Sequence, residues 1–120
     1  MFRLLLPVAA LLFLASTSFA QGMLPPLPTG TYQCDGRVDG EAVIATSTTG
    51  TITTDQYGAD RLKWNPMTGY YDIYDGPTAQ PEETPVARVK ILDGVYNVQY
   101  QEDTNHDGQF SDDGTGTWTA

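Results

Sequence analysis

Residues 102–114, "EDTNHDGQFSDDG", bring five carboxylates, an asparagine and a glutamine into one short segment. Asp103, Asn105, Asp107 and Gln109 alternate, and Asp112 and Asp113 close the run. A calcium ion takes about six to eight oxygens at roughly 2.3–2.6 Å. On a tightly curved segment, alternate residues can turn their oxygens onto one centre. Asp103, Asn105, Asp107, Asp112 and Asp113 are therefore candidate side-chain ligands, and Gln109 would offer its backbone carbonyl. Gly108 stands where the curve is sharpest and a Cβ is least welcome. The same residues allow a plainer structure. Asp and Asn side chains cap their own backbone in turns, with Asn105-His106-Asp107-Gly108 as a hairpin tip and Gln109-Phe110-Ser111 as part of a strand.

Set against the pattern D-x-[DN]-x-[DN]-G, the segment 103–114 resembles the calcium loops of EF-hand and dockerin type. Asp103, Asn105 and Asp107 fall at positions one, three and five, Gly108 at six and Phe110 at eight. The resemblance implies Ca2+ as a cofactor and extends no further along the chain. It departs from the family at position twelve, where Gly114 replaces the bidentate acid and leaves Asp112 or Asp113 to substitute. With strands on both sides, such a site would pin the last hairpin; it could not work as a paired helix sensor.

A second group lies in "YYDIYD", residues 70–75. If Tyr71 and Ile73 point inward, Tyr70, Asp72 and Tyr74 form an outward stripe of two aromatics and an acid. With Trp64 they could hold a sugar ring or a peptide by stacking and hydrogen bonding. The alternative is cross-strand aromatic pairing on a solvated sheet face. Enzyme chemistry has little to draw on. His106 and Cys34 are the sole histidine and cysteine, which excludes zinc sites built on several such ligands. No glycine-rich phosphate loop appears, and the expectation is a protein that is not an enzyme.

The elements that must position these groups are strands. A glycine followed two places later by a bulky residue recurs at Gly30-Thr31-Tyr32, Gly50-Thr51-Ile52, Gly69-Tyr70-Tyr71, Gly94-Val95-Tyr96 and Gly116-Thr117-Trp118. Period-two alternation follows several of them, which is the strand period. "AVIATSTTGTITTD" predicts a hairpin, "RLKWNPMTGYYDIYD" two strands about an Asn-Pro turn, and "VARVKILD" a half-exposed strand. "GPTAQPEETP" predicts a long exposed loop. No amphipathic helix is evident. The reading is all-β: seven or eight strands in a small antiparallel meander that forms a barrel or a sandwich.

The first residues report the compartment. Arg3, an apolar run from Leu4 to Ala15 and Ser18-Phe19-Ala20 describe a secretory signal peptide cut after Ala20. The run of about 12 residues is shorter than the roughly 20 a spanning helix needs. The domains are thus residues 1–20, signal peptide; 21–29, a Pro-rich lead that acts as a stiff spacer; and 30–120, a single β-domain. The protein is expected to be exported, to periplasm or extracellular space, with no membrane insertion after cleavage.

Six basic against fifteen acidic side chains give a net charge of −9. Nucleic acid and anionic membrane surfaces are repelled by such a chain, and cations or basic partners are its complements. An unknown protein or glycan is the expected partner. Cys34 can bridge two copies of the chain or sit as a buried thiol in a strand. Finally, Thr31-Tyr32-Gln33-Cys34-Asp35-Gly36 is similar to the first strand of the periplasmic C-type lysozyme inhibitors, small β-barrels that begin with a Tyr-x-Cys strand. The resemblance implies an inhibitor or envelope partner without metal. Neither the second cysteine nor the serine-containing loop of that family is present.

Overall fold

The computed structural model describes residues 26–120. The expected signal peptide, residues 1–20, and residues 21–25 lie outside the described residues. Eight strands follow one another: β1 (Gly30–Gly36), β2 (Gly40–Ile44), β3 (Thr49–Thr54), β4 (Gly58–Asn65), β5 (Tyr70–Tyr74), β6 (Ala87–Ile91), β7 (Asn97–Glu102) and β8 (Ser111–Thr119). Each pairs antiparallel with the next, and β8 pairs with β1, so the meander closes into a barrel. An even number of strands lets the last run antiparallel to the first. Of the two architectures open to this pattern, the chain takes the barrel.

An eight-stranded barrel is just wide enough for side chains to fill. Alternate residues do so here: Tyr32 and Cys34 from β1, Ala42 and Ile44 from β2, Ile52, Leu62, Tyr71 and Ile73, Val89 and Ile91, Val98 and Tyr100, and Trp118 from β8. Aliphatics are too few to fill the space, so aromatics form a connected chain inside it. Tyr96 meets Tyr32 at 5.7 Å between centroids, Tyr32 meets Trp118 at 6.2 Å, Trp118 meets Tyr71 at 6.4 Å, and Tyr71 meets Trp64 at 5.0 Å. Edge-to-face and tilted pairs at such separations are favoured by the ring quadrupoles. The Trp118 indole donates to the Tyr100 hydroxyl at 2.9 Å. Among the described residues no buried side-chain nitrogen or oxygen lacks a partner.

Two expectations need adjustment. The end of the Pro-rich lead is part of the domain rather than a spacer. Leu27 is buried, its amide donates to the Tyr71 hydroxyl at 2.7 Å, and the Tyr32 hydroxyl donates to the Pro28 carbonyl. This segment plugs one end of the barrel. The strand expected from Val95 begins at Asn97, because the Asp93 carboxylate accepts the amides of Val95 and Asn97 and Tyr96 turns to a φ of 57°.

Cys34 points into the core and is fully buried. Burial, with Asp35 and Glu41 nearby, pushes its thiol up to about 12. A disulfide between two copies through Cys34 therefore requires the barrel to open.

Candidate functional site

A meander sends alternate turns to opposite ends of the barrel. The β2–β3, β4–β5 and β6–β7 turns share the plugged end, where Asp93 is the one acid. The β1–β2, β3–β4, β5–β6 and β7–β8 turns share the other. These carry Asp39, then Asp55, then Asp75, Glu82 and Glu83, then Asp103 and Asp107. Acids scattered through the sequence are thereby gathered at one rim.

That rim surrounds a cavity of about 360 Å³. Val38, Ile52, Ile73 and Tyr100 give it an apolar floor, and residues from the β3–β4, β5–β6 and β7–β8 turns form its wall. Its carboxylates are Asp60, Asp75, Glu102, Asp103 and Asp113, and among the described residues no lysine or arginine lines it. Asp60 accepts one hydrogen bond, from the Gly76 amide at 2.9 Å. Burial outweighs that bond and lifts the Asp60 carboxyl above the usual carboxylate range. Carboxylates desolvated in a cleft are typical of places where a ligand is met.

A bulge aims one of these acids. Tyr100 pairs with Gly114 but Gln101 pairs with Asp112, so Asp113 is the extra residue on β8. An extra residue re-aims the strand's side chains locally, and Asp113 reaches the cavity wall. There it forms an ion pair with Arg37 at 3.3 Å. The same guanidinium donates to the Tyr57 hydroxyl at 3.0 Å and lies 6.0 Å from that ring's centroid. The rim thus already seats one guanidinium of the chain itself.

The acidic segment 103–114 is arranged around its own backbone. Asp103 is 3% exposed. Its Oδ1 accepts the Asp107 amide at 3.1 Å and its Oδ2 accepts the Gly108 amide at 2.9 Å. Gly108 takes a φ of 84°, as the sharp turn demands. Asp107 accepts the Gln109 amide, Asp112 accepts the Gln101 side chain, and Asp113 is held by Arg37. Asn105 is exposed. Among the described residues, no three His, Cys, Asp or Glu side chains come together in a group that could hold a metal ion. To complete a site with Asp103, Asn105 and Asp107, Asp112 would have to leave the Gln101 side chain and Asp113 would have to leave Arg37.

The fastener of this loop is then Asp103 itself. Its burial works against charge, but the amides of Gly108 and Asp107 outweigh it and hold the carboxyl below its usual value. An acid whose folded pKa lies below its unfolded one adds stability that is complete above about pH 4 and drains away as pH falls through the folded value. Asp103→Ala is expected to lower the melting temperature at pH 7 and to flatten the acid side of the stability profile, whereas Asn105→Ala changes neither. Melts in millimolar calcium and in chelator test the metal: a rise in melting temperature with calcium that Asp103→Ala or Asp107→Ala abolishes supports the site, and coincident melts exclude it.

The second expected group is divided by the strand pleat. Tyr71 and Ile73 point inward, and Tyr70, Asp72 and Tyr74 lie on the outer face of β5. Trp64 packs against the core as the last member of the internal aromatic chain, so it does not join the other three. The outer tyrosines are covered by cations. The Arg88 guanidinium sits 4.1 Å from the Tyr70 centroid, and Arg61 sits 5.7 Å from that of Tyr74. Phe110, at position eight of the acidic segment, also lies against Arg88, at 4.4 Å.

Comparison with family models, with curated proteins and with solved structures finds no match. The mouth residues Asp60, Asp75 and Tyr57 are absent from the sequence-derived candidates. The signal that could have found them is the turn count. In an even-stranded meander, every second turn shares an end, and acids on alternate turns become neighbours.

Proposed function

We propose that this chain is a non-catalytic binding module that takes its ligand into the open mouth of the barrel. The observation that carries the reading is a cavity of about 360 Å³ with apolar lining residues, at the end of the barrel opposite Leu27. Cavities of roughly 300–1,000 Å³ with a few convergent polar groups are where small ligands or anchoring side chains bind. The rim is anionic and the floor is apolar, so the ligand is a cationic head on an apolar stem, such as a lysine or arginine side chain of a basic partner. Such a partner also suits the charge of the whole chain.

NMR titration tests this directly, with alkylamines and arginine-bearing peptides set against neutral isosteres of the same length. The expected result is shifts confined to Ile52, Ile73, Tyr100 and the four mouth turns, with an affinity that weakens as salt rises. The reading fails if millimolar amine or guanidine produces no shift at the mouth, or if Thr54→Trp, which fills the cavity, leaves binding intact. An inhibitor of lysozyme type is a second reading, favoured by a closed small barrel whose first strand carries Tyr32 and Cys34 inward. A lysozyme activity assay with the same variants separates it from the first.

A further inference from the structure

Three arginines lie among the described residues, and two have carboxylate partners. Arg37 pairs with Asp113, and Arg61 pairs with Glu83 while also donating to the Asp75 and Gly76 carbonyls. Arg88 forms no ion pair within 4 Å, although Asp72 is its register partner on β5. Asp72 instead accepts the Asn65 side-chain amide at 3.1 Å. Arg88 is held by other contacts. The Tyr70 and Phe110 ring centroids lie 4.1 and 4.4 Å from its guanidinium carbon, and its Nε donates to Gln101 Oε1 at 2.8 Å. Gln101 is itself fixed by Asp112 at 2.9 Å. What is left over is the outer edge of the fork: among the described residues neither Nη of Arg88 has a hydrogen-bond partner.

A guanidinium held flat, with two parallel N–H groups open, is pre-organised for a planar oxyanion. Its surroundings narrow the ligand. Lys63, Asp72, Arg88 and Gln101 stand directly opposite one another across β4, β5, β6 and β7, and form one row on the outer wall. Lys90 stands beside it, with its ammonium 5.5 Å from the Tyr70 centroid. Four of the chain's six basic side chains are on this wall, in a protein whose net charge is −9. Cations alone would suit any polyanion. Asp72 in the middle of the row does not, because it repels a second negative charge and asks for a donor. A ligand that satisfies both must carry an oxyanion with hydroxyl groups beside it.

We infer that the outer wall of β4–β7 binds an acidic saccharide, with the sugar carboxylate on the Arg88 fork and a neighbouring hydroxyl donating to Asp72. This surface is on the outside of the barrel and its ligand has the opposite charge from the mouth's, so either assignment can fail alone.

Isothermal titration with oligogalacturonate or oligoglucuronate tests it, beside neutral oligosaccharides of equal length and oligoglutamate. Uronate oligomers are expected to bind, with at least about tenfold weaker binding of both comparison ligands. Arg88→Lys keeps the charge and loses the planar fork, and should weaken uronate binding by about tenfold. Lys63→Ala alters an exposed side chain, so it keeps the question open to test if Arg88→Lys unfolds; it should weaken uronate binding severalfold and leave the melting temperature unchanged. Absence of uronate binding overturns the inference. So does equal binding of oligoglutamate, which would make the wall a plain electrostatic surface, or a folded Arg88→Lys or Lys63→Ala protein that binds uronate as the parent does.

Discussion

Trp118→Ala is expected to lower the unfolding free energy by about 3–5 kcal/mol, the range for removing a large buried aromatic. Trp118 is 1% exposed and stands between Tyr32 and Tyr71 in the aromatic chain. Truncation leaves a void that the barrel wall cannot collapse to fill, because each strand is hydrogen-bonded on both sides. It also takes the indole N–H from the Tyr100 hydroxyl, which is buried and whose own ionisation is pushed up to about 12 by burial. Trp118→Phe separates the two effects. It keeps most of the volume and loses chiefly the hydrogen bond, at about 1–3 kcal/mol. Urea unfolding followed by circular dichroism measures both. Since Tyr100 is also part of the mouth's floor, Trp118→Ala should weaken cavity binding while leaving the rim untouched. A loss below about 1 kcal/mol would show that the aromatic chain does not organise the core.

The seam between β1 and β8 is the other sensitive place. A Cβ built on Gly116 would lie 2.3 Å from the Asp35 carbonyl oxygen, and one on Gly36 would lie 2.6 Å from the Gly116 Cα. Both obstacles are backbone, so no side chain can swing aside. Gly116→Ala must push the two strands apart, and forcing extra volume into a packed site costs typically about 1–3 kcal/mol, sometimes more. Gly94→Ala is the control: nothing lies within 4 Å of its Cβ position, and the effect should stay within about 0.5 kcal/mol. The strain falls on the one ladder that joins the two ends of the chain. Hydrogen exchange should therefore accelerate first at amides of the β1–β8 ladder. The seam argument fails if Gly116→Ala is as stable and as protected as Gly94→Ala.

The local elements were legible because their cause is local. Alternation in "TYQC", "YYDIY" and "ARVKI" is set by which side chains face the core, and Asn65-Pro66 and Gly69 mark the turn between β4 and β5. The inward positions of Tyr71 and Ile73, and the outward ones of Tyr70, Asp72 and Tyr74, follow from the same period. The type of Trp64 suggests a stacking platform, but its side of the strand is set by pairing with Tyr71, which residue type alone does not reveal. The acidic segment showed its spacing but not its partners. Asp112 and Asp113 are drawn off by Gln101 and Arg37, residues eleven and seventy-six positions away.

By itself the chain's order of residue types determined an all-β meander, its strands and most of its turns, since each depends on neighbours within a few positions. Only the tertiary structure decided that the sheet closes, that Leu27 plugs one end, and that acids from four turns gather around the other. Closure is a pairing between residues about eighty positions apart, such as Cys34 and Trp118, and no local preference specifies which distant strand will be met. The mouth is a consequence of that closure, because curling the sheet is what sets turns into a ring, while the register of β4 to β7 lines up Lys63, Asp72, Arg88 and Gln101 across four strands.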